Sequence, residues 1–147
     1  MAKIASWNVN SIRAREEHLK RWLSDNHVDI LGLQETKVQN QNFPLDFVNQ
    51  LGYQVFYSGQ KSYNGVCILF KGNAEFISDR IQGFSDEQKR VLAVEWKGIL
   101  IINIYVPNGG EIGSEKFDYK MNWLGAFCLW IKELNKTFKK IIVLGDF

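Results

Sequence analysis

The chain has 147 residues, 46% of them hydrophobic and 23% charged, with only two prolines. That profile suits one folded domain with a buried core and excludes a disordered or collagen-like chain. The formal net charge of +2 is too small to argue by itself for a nucleic-acid partner. Cys67 and Cys128 each sit in an apolar run, GVCILF and GAFCLW, and read as buried small hydrophobes rather than as a disulfide. MAKIASW is too short an opening for a signal peptide, and no run approaches the ~18 apolar residues of a membrane span. The expectation is a soluble, cytoplasmic protein.

In chain order, KIASWNV predicts a short strand. From Arg13 to Asp25, Leu19, Trp22 and Leu23 keep helical spacing among charges, which predicts a helix. VDILGL is dense in aliphatic residues and predicts a strand buried on both faces. FPLDFVNQLG predicts a short helix with Pro44 in its first turn and Gly52 past its end. The pattern then changes to strands: YQVFYS, GVCILF, EFISDRI, RVLAVEW and ILIINIYV, with Lys97-Gly98 as a hairpin turn between the last two. After a PNGGE loop, Phe117, Met121, Leu124, Cys128, Ile131 and Leu134 step by three or four, predicting a helix over about Lys116 to Thr137 with that stripe against a sheet. IIVLGDF predicts a last strand. The order of elements is that of an α/β chain.

Each core strand runs into a polar group. KIASW leads to Asn8, DILGLQ to Glu35, LIINI to Tyr105 and IIVLG to Asp146. If the strands share one direction, these ends meet in one crevice. Two acids and an amide suit a hard, oxygen-loving cation such as Mg²⁺, which stabilises charge in phosphoryl transfer. Each residue also has a plain reading: Asn8 as a helix cap, Glu35 as a surface acid, Tyr105 as a core aromatic and Asp146 as a turn residue.

The contexts are more specific. WNVNSIRA, LQETK, YVPNGG and LGDF resemble, in order and at similar intervals, the motifs of the exonuclease III and AP endonuclease family. That family is a branch of the endonuclease/exonuclease/phosphatase superfamily, and LGYQVFYSGQKSYNGV resembles its segment between motifs. The resemblance implies a four-layer α/β sandwich, two sheets face to face with helices outside. It implies a DNA repair nuclease that hydrolyses phosphodiesters at abasic sites and 3′ ends with Mg²⁺, or Mn²⁺ in its place. Glu35 is then the main metal ligand, and Asn8 binds metal or orients Glu35. Tyr105 contacts the scissile phosphate, and Asp146 holds the metal site and the attacking water. Asn10, Arg13, Lys37, Tyr63, Asn64 and Arg90 become candidate DNA contacts, with a solvated surface charge as the plain reading of each basic residue.

The sequence departs from the family pattern in two places. Ser11 stands where many relatives have Gly. In relatives, GDF or GDM leads into an Asn and a further segment with a metal-site Asp and a catalytic His; His18 and His27 here match neither. The resemblance therefore covers an N-terminal part, residues 1–147, of one such domain, with a mixed, largely antiparallel sheet and flanking helices. Such a part is expected to be inactive alone, to expose the inner face of its sheet and to self-associate through it, with IIVLGDF as the central strand. Two further readings remain: another superfamily phosphodiesterase or phosphatase, and a non-catalytic DNA-binding or interaction module.

Overall fold

Short β-branched and aromatic runs broken by glycine and polar turns dictate the architecture. The computed structural model describes all 147 residues. The strands are β1 Ile4–Asn8, β2 Ile30–Gln34, β3 Gln54–Ser58, β4 Val66–Phe70, β5 Ala74–Ser78, β6 Val91–Trp96, β7 Ile99–Tyr105 and β8 Ile141–Asp146. The helices are α1 Glu16–Asp25, entered through a 3-10 turn at Arg13–Arg15, α2 Leu45–Gln50 and α3 Glu115–Thr137. Lys97 and Gly98 both take positive φ, 50° and 76°, the turn geometry that joins β6 to β7.

The strands form two four-stranded sheets, ordered β1-β2-β4-β3 and β5-β6-β7-β8. β1 pairs parallel with β2, and β7 parallel with β8; the other pairs are antiparallel. Three apolar layers hold the stack. Leu19 and Leu23 of α1 and Val48 of α2 pack on Leu31, Leu33 and Leu69 of the first sheet. Ile30, Val66, Ile68 and Phe70 of the first sheet meet Leu92, Val94, Trp96, Ile101 and Leu144 of the second. Trp123 and Trp130 of α3 cover Ala93, Leu100, Ile102 and Ile104. The result is helix, sheet, sheet, helix.

The expected four-layer α/β sandwich is borne out, whereas the expected exposed inner face is not found. The chain builds two sheets whose inner faces cover each other, so that face is not exposed. β8 is not central here: it lies at the edge of the second sheet, as β1 does at the edge of the first.

The stripe on α3 holds in part. Leu124, Ile131 and Leu134 pack on the sheet around the buried Trp123 and Trp130, with Tyr119 and Phe127 beside them, whereas Met121 is 51% exposed and Cys128 is exposed. Trp123 stacks on Phe127 with centroids 5.4 Å apart, and this aromatic bulk sets which face is covered. The expectation that both cysteines are buried therefore holds for Cys67 alone. In α1 the same correction is smaller: Leu19 and Leu23 are buried, while Trp22 is left at the exposed margin beside β1.

Candidate active site

Parallel pairing sends β1 with β2, and β7 with β8, toward the same end of the sandwich. Asn8 ends β1, Glu35 follows β2, Tyr105 ends β7 and Asp146 ends β8. Tyr105 and Asp146 are direct neighbours in the β7–β8 register. Gly145, just before Asp146, cannot be anything larger, because a Cβ there would lie 2.0 Å from the carbonyl oxygen of Ile104. The four groups touch. Asn8 Nδ2 donates to Glu35 Oε1 at 3.1 Å and to Asp146 Oδ2 at 2.7 Å. Tyr105 Oη donates to Glu35 Oε1 at 2.6 Å. Lys37 Nζ lies 3.5 Å from Glu35 Oε2 and donates to Asn10 Oδ1.

Burial pushes the Glu35 carboxyl up, but the hydrogen bonds from Tyr105 and Asn8 and the Lys37 ammonium outweigh it and hold the group below its ordinary value. At neutral pH Glu35 is an anion. Tyr105 moves the other way: burial, then its bond to the Glu35 carboxylate, pushes the phenol up to about 12. It is a proton-bearing donor at neutral pH. The rim therefore carries a fixed anion, a fixed donor and the exposed carboxylate of Asp146.

The loops beyond the strand ends are stitched to one another. Ser11 N–H donates to the Glu35 carbonyl at 2.8 Å, and Ile12 N–H to the Thr36 carbonyl at 3.1 Å. Lys37 N–H donates to the Asn64 carbonyl at 2.9 Å, and Gly65 N–H to the Lys89 carbonyl at 2.8 Å. Asn10, Ser11, Glu35, Lys37, Ser62 and Asn64 all have left-handed backbone; the one other non-glycine residue that does is Lys97, in its turn. Such conformations cost about 1–3 kcal/mol each and cluster where the surrounding structure fixes a functional group.

The candidate DNA contacts divide. Asn10, Lys37 and Asn64 belong to this stitched rim; Arg13 and Tyr63 follow in the same loops, Arg13 exposed and Tyr63 70% exposed. Asn64 donates its amide to Gln60 Oε1 at 3.1 Å. Arg90 is committed to the protein. Its guanidinium sits 4.8 Å from the Tyr105 ring centre and 5.8 Å from that of Tyr119. It also donates to the Tyr105 carbonyl at 3.1 Å and to Gln88 Oε1 at 2.8 Å. A cleft of about 370 Å³ opens beside it, lined by Tyr105, Asn108, Lys116 and Tyr119 among others. Sequence reasoning missed Tyr119, whose hydroxyl donates to Asp86, and the buried amides of Gln34 and Asn103. Gln34 and Asn103 had a signal, each being an amide inside an otherwise apolar strand. Tyr119 had none apart from its place on α3.

Two carboxylates converge on one amide nitrogen, with no third His, Cys, Asp or Glu joining them. That donor set fits a divalent cation that keeps most of its shell as water or substrate oxygen. Glu35 and Asp146 are the groups that would hold it. Asn8 Oδ1 accepts the Asn10 N–H at 3.0 Å, and its NH₂ faces the two acids.

The chain is similar over 98% of its length, at 33% identity, to exodeoxyribonuclease III of Haemophilus influenzae, of which it spans 56%. A solved AP endonuclease from Archaeoglobus fulgidus superposes with a TM-score of 0.91 at 40% identity, over 99% of this chain and 57% of that one. A 3′ phosphatase from Neisseria, solved bound to product DNA hairpin, gives 0.95 at 35% identity, with 99% and 57% covered. The chain thus spans a little over half the length of these relatives, and its two sheets with flanking helices are theirs. Matched from residue 5 to residue 147, the chain belongs to the Endonuclease/Exonuclease/phosphatase family.

Proposed function

We propose that this chain is part of a DNA repair nuclease of the exonuclease III type, hydrolysing phosphodiesters at abasic sites and 3′ ends with a divalent cation, Mg²⁺ first and Mn²⁺ second. The observation that carries the reading is the meeting of Asn8, Glu35, Tyr105 and Asp146 at the ends of four strands drawn from both sheets. The names of its relatives support the substrate class.

Glu35, ionised at neutral pH, and Asp146 would hold the cation, which when bound would supply charge neutralisation to the phosphate. Asn8 fixes the spacing of the two carboxylates. Tyr105 keeps its proton and can turn it from Glu35 to a phosphate oxygen, where negative charge grows in the transition state. Asp146, at the open rim, accepts a proton from an attacking water. Asn10, Arg13, Lys37, Tyr63 and Asn64 approach the DNA backbone, giving affinity that falls with salt and reads no sequence. Arg90 acts at one remove, holding Tyr105. The 147 residues alone are inactive, a reading supported by their span of 56% of the Haemophilus relative. The protein works in the cytoplasm, where its free thiols stay reduced.

The test offers this chain a duplex bearing one abasic site, an intact duplex, an RNA duplex and an inositol phosphate, with Mg²⁺ and with a chelator. The expected result is Mg²⁺-dependent preference for the abasic duplex, lost in Asp146→Asn, without incision. Preference for RNA or the inositol phosphate would overturn the substrate assignment. Metal-dependent incision by the chain alone would overturn the claim of inactivity.

A further inference from the structure

The space between the sheets is apolar along most of its depth and turns polar one layer beneath the site. Ile30 and Ile101 face each other there as ordinary core. One step nearer the rim stand Gln34, 1% exposed, and Asn103, 0% exposed. Gln34 Nε2 donates to Asn103 Oδ1 at 2.7 Å, across the two sheets. Asn103 Nδ2 donates back to the carbonyls of Leu33 at 2.9 Å and Cys67 at 2.8 Å, both in the first sheet. Gln34 Nε2 also lies 3.0 Å from Ser6 Oγ. Gly32 makes room for this layer: a Cβ there would stand 2.2 Å from Leu144 and 3.1 Å from Asn103.

These positions are not scattered. Ser6, Asn103 and Leu144 each precede a site residue by two, and so share its side of the strand: Asn8, Tyr105 and Asp146. Gln34 directly precedes Glu35. Apolar contacts between sheets are non-directional and tolerate a small slide. A hydrogen-bonded amide pair does not, because its geometry is lost within a few tenths of an ångström. Glu35 comes from one sheet and Tyr105 and Asp146 from the other, so a slide of that size would part Glu35 from Tyr105.

We propose that Gln34 and Asn103 are positioning residues: their interlocked amides pin the two sheets in the one register that brings Glu35 to Tyr105. The pin rests on the site described above, but its readout is the Glu35–Tyr105 contact rather than cleavage, so each can fail without the other. Tyrosines are labelled with ¹³C at Cζ, and the Tyr105 signal is assigned with Tyr105→Phe. In the parent, Glu35→Gln shifts that signal. In Asn103→Leu the same Glu35→Gln change is expected to shift it less than half as far, with the protein folded. Ile101→Ala, a core deletion on the same face of β7, is expected to lower the melting temperature yet leave the full shift. If Asn103→Leu does not fold, the smaller Asn103→Ala gives the reading, since it too removes the bonds to Gln34, Leu33 and Cys67. An undiminished shift in a folded amide variant, or an equal loss in Ile101→Ala, would overturn the proposal.

Discussion

Tyr105 gives a prediction whose sign and size both follow from its surroundings. Its hydroxyl donates to Glu35 at 2.6 Å, and burial together with that carboxylate moves its pKa from 10.0 to about 12. A phenol harder to ionise in the native state adds stability that is whole below the unfolded value near 10 and is lost as pH climbs through the native value near 12. Two pH units correspond to about 2.7 kcal/mol at full weight, and the partly open rim reduces this to about 1 kcal/mol. Tyr105→Phe removes the donor and the titrating group together. Urea unfolding of parent and variant should therefore differ by about 1 kcal/mol at about pH 8, with the gap closing toward about pH 11 to 12. Ultraviolet difference titration should show that the phenol missing from the variant is a late one. If the missing phenol titrates near its ordinary value and the stability gap stays constant with pH, the bond to Glu35 is not what holds Tyr105.

Other tests reach the packing and the thiols. Trp123→Ala removes a side chain 1% exposed and stacked on Phe127, and should cost about 3–5 kcal/mol in denaturant unfolding. Met121→Ala, 51% exposed on the same helix, should fall within about 0.5 kcal/mol of the parent; the reverse ranking would restore the stripe that spacing alone suggests. A thiol reagent should titrate Cys128 quickly in the native protein and Cys67 only on unfolding, because Cys67 is fully buried and burial pushes its thiol up. Two fast thiols would mean that the helix layer does not close over Cys67.

The parts legible in the sequence were those set by local chemistry. The aliphatic run of β2, the Lys97-Gly98 turn and the polar groups at the ends of β1, β2, β7 and β8 all stand where the residues put them. What was not legible depends on partners distant in sequence. Nothing local says that β4 and β5, neighbours in the chain, belong to opposite sheets, so an exposed inner face was expected where two sheets cover each other. On α3 Met121 and Cys128 continue the spacing of the packed leucines, and only the surface of β6 and β7 decides that the tryptophans are covered instead of them. The contacts of Arg90 with the rings of Tyr105 and Tyr119 were not legible either. Nor was it legible that Asn8 turns its NH₂ toward both carboxylates.

The central claim is that four strand ends form one cation-holding site. The most direct measurement titrates the chain with Mg²⁺ and follows the backbone amide signals and the Asn8 side-chain NH₂ by NMR. The predicted result is a concerted shift at Asn8, Glu35, Tyr105 and Asp146 with one affinity, abolished in Glu35→Gln. Shifts confined to surface acids such as Glu16 and Glu17 of α1, with the four strand ends unmoved, would contradict it.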